Sequence, residues 1–409
     1  VHFQPCFSPA GDQLAYLVNR GEKDELCLND LDGSEKVLVE EKIMLPPAWV
    51  QGVRAFAWSP DGQIIYYLEN KRAQTRLHAY DLSTHSSTAV PNLENFTITS
   101  QPSVSADGTF FLLVESNQLP RRAIHLSKGK IEVLARTMAD NLESGYLPVS
   151  QSISWTSSDG AEVHGLYFAP THPTATADGA PPVIVYIHGG PTSQVLDGYL
   201  PEAGYFTSRG YGYFVINYRG GTGYGRAYRQ ALNGHWGELD VQDTIEGCKH
   251  LIDRGLANPD KLIIKGGSAG GYTVLNSLVH HPGFFKAGLC SYGVSNLFLL
   301  DMDTHKFESH YTSSLVGALP KAAQKYHDLS PVFHADQIRD ALAVFQGSED
   351  KVVPPNQSES IVAFLRANHV PHVYRLYDGE GHGFRRSENI LDFYKTIDVF
   401  LKQYVIFSV

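Results

Sequence analysis

The stretch GGSAGG, residues 266–271, crowds four glycines around one serine and follows the apolar run KLII. Gly266, Ser268 and Gly270 match G-x-S-x-G, a strand-to-helix turn so sharp that the positions two before and two after the serine cannot carry side chains. Such a turn lifts the Ser268 hydroxyl to the top of a sheet. The helix that follows aims its first amides at the reaction centre. A serine attacks a carbonyl only if a base takes its proton and an acid orients that base. In this kind of fold the two partners follow in the order acid, then histidine. Asp350 is the candidate acid, in the loop SEDKVVPP after the apolar run ALAVFQG. Its neighbour Glu349 is the rival. His382, in DGEGHGF after the run VYRLY, is the candidate base. Of the 18 histidines, His334, His372 and the pair His280–His281 lack this strand-to-loop placement. The stretch VYIHGGP ends another buried run, and its glycines leave backbone amides open. The Gly190 and Ala269 amides are therefore the expected oxyanion donors, each worth about 2.7–4 kcal/mol in the transition state. His188 is expected to orient this loop rather than to move protons. The loop RGGTGYG, 219–225, has no Lys-Ser/Thr ending to hold phosphate and reads as a loop beside the reaction centre.

The elements that must position these residues alternate between strand and helix from about residue 149 onward. SISWTSSDGAEVHGLYFAP reads as a hairpin turning at Asp159–Gly160. After a Pro-rich loop, PVIVYIHGG, GYGYFVINYRG, KLIIKGGS, KAGLCSYG and ALAVFQGSED read as buried strands. DVQDTIEGCKHLIDRGL, AGGYTVLNSLVHH, SESIVAFLRANHV and ILDFYKTIDVFLKQYV read as helices. Alternation of this kind predicts a mostly parallel sheet with helices on both faces. Residues 1–148 have another rhythm. CFSPAGDQLAYLVN, AWSPDGQIIYYLEN and SVSADGTFFLLVES repeat a small polar turn, a glycine and an apolar run, and each is followed by a second strand-like run. The repeat reads as three blades of a β-propeller-like all-β domain. Closed propellers have about four to eight blades, so this domain is expected to be truncated, with further blades absent from the chain as given.

Composition narrows the classes. Of 409 residues, 43% are hydrophobic and 19% charged, which fits an ordinary globular protein. A net charge of −10 with no basic run speaks against nucleic-acid binding. No apolar stretch is long enough for a membrane-spanning helix, and the first residues do not read as a signal peptide. Cys6, Cys27, Cys248 and Cys290 have no metal or disulfide spacing and are expected to be buried free thiols, as in the cytoplasm. No HExxH, Walker loop or dinucleotide fingerprint is present, so no metal or cofactor is expected in catalysis.

Taken in order, HGGP, NYRGGTGYGRAY, GGSAGGY, GSEDKVVPPNQ and GEGHGF resemble the prolyl oligopeptidase family of serine peptidases, nearest its acylaminoacyl-peptidase-like branch. The resemblance covers about 150 to the end strongly and the first third only as weak blade repeats. It implies an α/β-hydrolase domain capped by a propeller, and cleavage of short or N-acylated peptides. It implies the triad Ser268, Asp350 and His382, with Gly190 and Ala269 as oxyanion donors. It leaves a homo-oligomer open. Tyr272, Tyr292, Val294, Leu297 and Trp236 are expected to line a pocket that favours an apolar side chain beside the scissile bond. Two other readings remain: a small-molecule esterase or amidase on the same triad, and a non-catalytic propeller-based binding protein.

Overall fold

The computed structural model describes residues 2–21, 23–40, 43–44, 52–140, 142–303 and 310–408. By its internal contacts the chain divides into two units. The first holds Val1–Ser150, Gln194–Gly204 and Gly221–Gln230, and the second holds the remainder. A single cut near 148 therefore does not describe the division.

The first unit is built from antiparallel strands in three groups of four. These are β1–β4 (His2–Phe7, Leu14–Arg20, Lys23–Asn29, Glu35–Glu40), β5–β8 (Phe56–Trp58, Ile64–Lys71, Gln74–Asp81, Ser86–Ala89) and β9–β12 (Ile98–Val104, Phe110–Ser116, Leu119–Ser127, Lys130–Arg136). The second and third groups meet at a parallel pairing of Thr75 with Ile98. The repeated turn is the same object three times. Gly11, Gly62 and Gly108 have φ of 76°, 72° and 80°. Each donates its amide to the carbonyl of the serine three residues earlier, Ser8, Ser59 or Ser105, at 2.9–3.0 Å. The serine hydroxyl bonds a nearby aspartate, Asp12, Asp61 or Asp107. A side chain could not take that positive φ without strain, which explains the glycine in every repeat. Alternate residues of the strands are buried between groups: Leu17, Leu26, Trp58 and Ile65 in one cluster, and Leu68, Leu77, Leu112 and Ile124 in another.

Two later segments group with these strands through polar anchors. Asp197 is 5% exposed. Its carboxylate accepts from Gln74 Nε2 and Asn117 Nδ2, both at 2.8 Å, and its amide donates to the Ala73 carbonyl at 2.7 Å. Arg229 grips Asp24 with two bonds of 2.9 Å. Breaking one partner of such a buried pair leaves a desolvated charge, so these anchors hold the segments firmly.

The second unit is an eight-stranded sheet, order β13-β14-β16-β15-β17-β18-β19-β20. The strands are β13 (Ser150–Thr156), β14 (Glu162–Phe168), β15 (Val183–Ile187), β16 (Gly212–Asn217), β17 (Leu262–Gly267), β18 (Ala287–Ser291), β19 (Ala341–Gly347) and β20 (His372–Tyr377). β14 pairs antiparallel with β16, and the pairs from β16 to β20 are parallel. Every residue of β16, β18 and β19 is buried, as expected when helices cover both faces. The helices are α1 (Pro201–Thr207), α2 (Arg226–Gln230), α3 (Leu239–Asp253), α4 (Ala269–His280), α5 (Leu297–Asp303), α6 (Tyr311–Leu315), α7 (Ala323–Asp328), α8 (Pro355–Ala367) and α9 (Ser387–Leu401). α1 straddles the division between the units and α2 belongs to the first. α3 buries Val241, Ile245, Cys248 and Leu251 at helical spacing. Among the described residues no helix is long and apolar enough to cross a membrane. Cys27, Cys248 and Cys290 are buried free thiols; Cys6, expected to join them, is exposed. It lies on β1, whose burial pattern is mostly exposed.

α4 is tied to α3 by a buried carboxylate. Asp240 accepts from the Gly237 amide at 2.6 Å and from Thr273 Oγ1 at 2.5 Å. Burial pushes its pKa up to about 6. An acid with a raised pKa holds its proton more tightly in the folded state. Stability therefore falls as pH rises from about 4 through about 6, where the unfolded chain has already ionised. Asp240→Asn removes that slope. Between pH 4 and pH 7 it is expected to gain about 2 kcal/mol relative to the unaltered protein, read by urea unfolding at both pH values. Parallel pH profiles for the two proteins would show that Asp240 does not titrate in this way.

Candidate active site

The parallel register puts the reactive loops on one edge of the sheet. Ile187 pairs with Gly266, Gly266 with Cys290, and Cys290 with Val344. Val344 pairs in turn with Tyr374. His188, Ser268, Asp350 and His382 therefore all leave the sheet at the carboxyl ends of their strands, the edge at which α/β sheets place their sites.

Ser268 caps α4 with φ 57° and ψ −124°, a backbone conformation that a non-glycine residue adopts only when its surroundings enforce it. The surroundings are visible in the glycines. A Cβ on Gly266 would lie 2.4 Å from the Gly270 carbonyl oxygen, and one on Gly270 would lie 2.2 Å from that of Ile187. Both are backbone collisions that no rotamer relieves. Gly271 is equally confined, 2.6 Å from Gly293 Cα, which accounts for the fourth glycine of the run. The Ser268 amide donates to the Ser291 carbonyl at 3.1 Å.

Asp350 and His382 meet as a pair. His382 Nδ1 lies 2.7 Å from Asp350 Oδ2. The other carboxylate oxygen accepts from the Val352 and Val353 amides at 2.9 and 3.0 Å. The Asp350 carboxylate is fully buried while the imidazole is 23% exposed. An acceptor at Nδ1 places the proton there and leaves Nε2 bare, the tautomer a base needs. Glu349, the rival acid, is exposed. Its backbone amide bonds the Glu380 carbonyl at 2.9 Å, which links the acid loop to the histidine loop. Glu380, which sequence reasoning missed, is itself buried. It accepts from the Arg385 and Arg386 amides at 3.0 and 2.9 Å and from Asn389 Nδ2 at 2.9 Å, so it closes the histidine loop onto the start of α9.

His188 is neutral and fixed. Burial pushes its pKa down to about 4. Its ring stacks on Tyr218 at 4.3 Å, and its Nδ1 is 2.9 Å from the Gly189 carbonyl. The Tyr218 hydroxyl donates to the His188 carbonyl at 3.1 Å. These contacts hold the HGGP loop against the elbow: a Cβ on Gly189 would lie 3.3 Å from Ser268 Cβ and 3.9 Å from the Ala269 amide nitrogen. His188 thus has the orienting position expected of it, and Tyr218, the residue directly after β16, is the partner that the sequence did not single out.

The expected pocket is corrected by burial. Tyr272, Leu297, Val294 and Trp236 are 0–2% exposed and belong to the core of the second unit. The Tyr272 hydroxyl donates to the Leu329 carbonyl at 2.9 Å, and Trp236 packs on the Tyr272 ring at 4.4 Å. Their faces are used up by packing, so they offer a substrate no surface. Tyr292 differs. It is half-buried, lies 4.6 Å from the His382 ring, and sits over Gly267, whose Cβ would come within 2.9 Å of it.

The model of the prolyl oligopeptidase family matches residues 199–406, half of the chain. Dipeptidyl aminopeptidase BIII of Pseudoxanthomonas mexicana is 33% identical over 232 residues, which is 56% of this chain and 34% of that protein. The acylamino-acid-releasing enzyme of Arabidopsis thaliana is 28% identical over 235 residues, 54% of this chain and 30% of that protein. A puromycin-hydrolyzing peptidase of Mycobacterium tuberculosis has a similar structure, with a TM-score of 0.86 and 29% identity over 100% of this chain and 70% of that one. The matches to these two curated relatives span about a third of each relative's length.

Proposed function

Because the chain belongs to the prolyl oligopeptidase family, we propose that it is a serine peptidase cleaving short or N-acylated peptides with Ser268 as nucleophile, His382 as base and Asp350 as the acid that orients it. The observation that carries this reading is the 2.7 Å bond from His382 Nδ1 to Asp350, on the sheet edge where the strained turn presents Ser268. In the first step His382 Nε2 takes the Ser268 proton as Oγ attacks the scissile carbonyl. The oxyanion is met by the Ala269 and Gly190 amides, with the aligned dipoles of α4 behind Ala269. His382 then gives its proton to the leaving amine, and water repeats the sequence on the acyl-enzyme. Asp350 stays ionised and stabilises the imidazolium.

A second reading has its own support. The likeness to a puromycin-hydrolyzing peptidase covers the entire chain, which favours a small aminoacyl amide with a free amine as substrate. The test is a panel of an acetyl-aminoacyl anilide, a free-amine aminoacyl anilide, a dipeptidyl anilide and a nitrophenyl ester. The acetylated anilide is expected to give the highest kcat/KM. If the free-amine compounds lead, the N-acyl preference is wrong; if only the ester turns over, the peptidase reading falls.

A further inference from the structure

We propose that His327, Asp328 and His334, in the second unit and apart from the triad, form a binding site for a zinc-like divalent transition-metal ion. One donor atom from each of the three lies within 4.8 Å of the other two. His327 and Asp328 end α7, and His334 sits on the 3-10 turn Pro331–Gln337 that follows it. Two imidazoles and a carboxylate are the donor set that zinc and its neighbours favour over calcium or magnesium, which prefer oxygen alone.

The surroundings are those of a held site. His327 is stacked on Phe333 at 4.7 Å with the rings nearly parallel, and the His334 ring meets it edge-on at 5.5 Å. His327 Nδ1 and Asp328 Oδ1 are 3.1 Å apart, and Gln324 Nε2 donates to the same carboxylate oxygen at 2.8 Å, an outer partner that orients it. His334 Nε2 is shut off from water and has no hydrogen-bond partner among the described residues. A buried ring nitrogen left so is unusual in a folded protein, and ligation is one way of satisfying it. The last residue of α4, His280, lies 6.4 Å ring to ring from His334. The sequence spacing hides this site. Two histidines seven positions apart match no ligand motif, and only the turn between α7 and the 3-10 segment brings them together.

The ion would be structural rather than catalytic. α4 has 12 residues, so its far end is about 18 Å from the nucleophile. A metal there would staple α7 to the 3-10 turn. The test is Zn²⁺ titration of tag-free protein against a chromophoric chelator, with Co²⁺ absorption as a second readout. One equivalent is expected to bind, with Co²⁺ bands of low-coordinate type and a rise in Tm on adding Zn²⁺. His327→Gln and His334→Gln are each expected to weaken binding by at least about 10–100-fold, the loss that removing an outer partner alone brings, and His172→Gln, on a loop elsewhere in the unit, to leave it unchanged. Far-UV circular dichroism without metal checks that the variants are folded. Should His334→Gln fail to fold, Asp328→Asn, at an exposed carboxylate, takes its place. Equal Zn²⁺ binding by the unaltered protein and a folded ligand variant, or loss of binding in His172→Gln as well, would overturn the proposal.

Discussion

Ser268→Ala is expected to lower kcat/KM on the preferred anilide by about 10⁴–10⁶-fold while leaving the fold intact. The fold should survive because alanine keeps the Cβ and adds nothing to a turn already enforced by Gly266 and Gly270. No new strain enters at φ 57°. Only the nucleophilic oxygen is removed. The Ala269 and Gly190 amides remain, so a residual rate above the uncatalysed reaction is expected from the oxyanion donors and substrate binding. KM should change much less than kcat, since the hydroxyl matters chiefly in the transition state. A fluorophosphonate should label the unaltered protein at this position and leave the variant unlabelled. If Ser268→Ala kept a tenth or more of the activity in a folded protein, another residue would be the nucleophile and the triad assignment would be wrong.

What could be read from the sequence, and what could not, follows from where each constraint acts. The elbow is legible because a local backbone collision forces glycine at fixed offsets from Ser268, and local constraints leave local patterns. Asp350 and His382 are legible because each leaves a buried parallel strand, and an apolar run followed by a polar loop is visible in one dimension. The turn between the first and second strands of each group is legible for the same reason, through the positive φ of Gly11, Gly62 and Gly108. The outer strands β4, β8 and β12 are not. β8 is exposed at all four positions, so it has no alternation to reveal it. The pocket is misread because core and pocket both ask for apolar residues, and sequence cannot tell which face of Tyr272 is covered. The polar anchors Asp197 and Arg229 are invisible because their partners, Gln74, Asn117 and Asp24, lie far away along the chain. Charged residues in loops look solvated until a distant partner is known.

Asp350→Asn is expected to lower kcat by about 10⁴-fold although the side chain barely changes shape, and the hydrogen bonds around Asp350 explain why. Two backbone amides, Val352 and Val353, point at Oδ1. In the variant they must be met by the amide oxygen, because facing them with NH₂ would set donor against donor in a buried place. The NH₂ group is then turned toward His382 Nδ1, at the position where Oδ2 accepts at 2.7 Å. It can only donate, so it drives the imidazole into the opposite tautomer, with its proton on Nε2. A ring in that state cannot take the Ser268 proton. It also loses the buried negative charge that stabilises the imidazolium. Asp350→Ala removes the charge but imposes no tautomer, so the near-isosteric asparagine is expected to be at least as damaging as alanine. Glu349→Gln, at an exposed position, should leave kcat within about twofold, since a surface charge facing water contributes little. The check is kcat for the three variants at neutral pH, beside thermal unfolding to establish that each is folded. If asparagine retained far more activity than alanine, the carboxylate would be acting by packing alone. If Glu349→Gln carried the loss instead, the acid of this site would be the neighbouring residue.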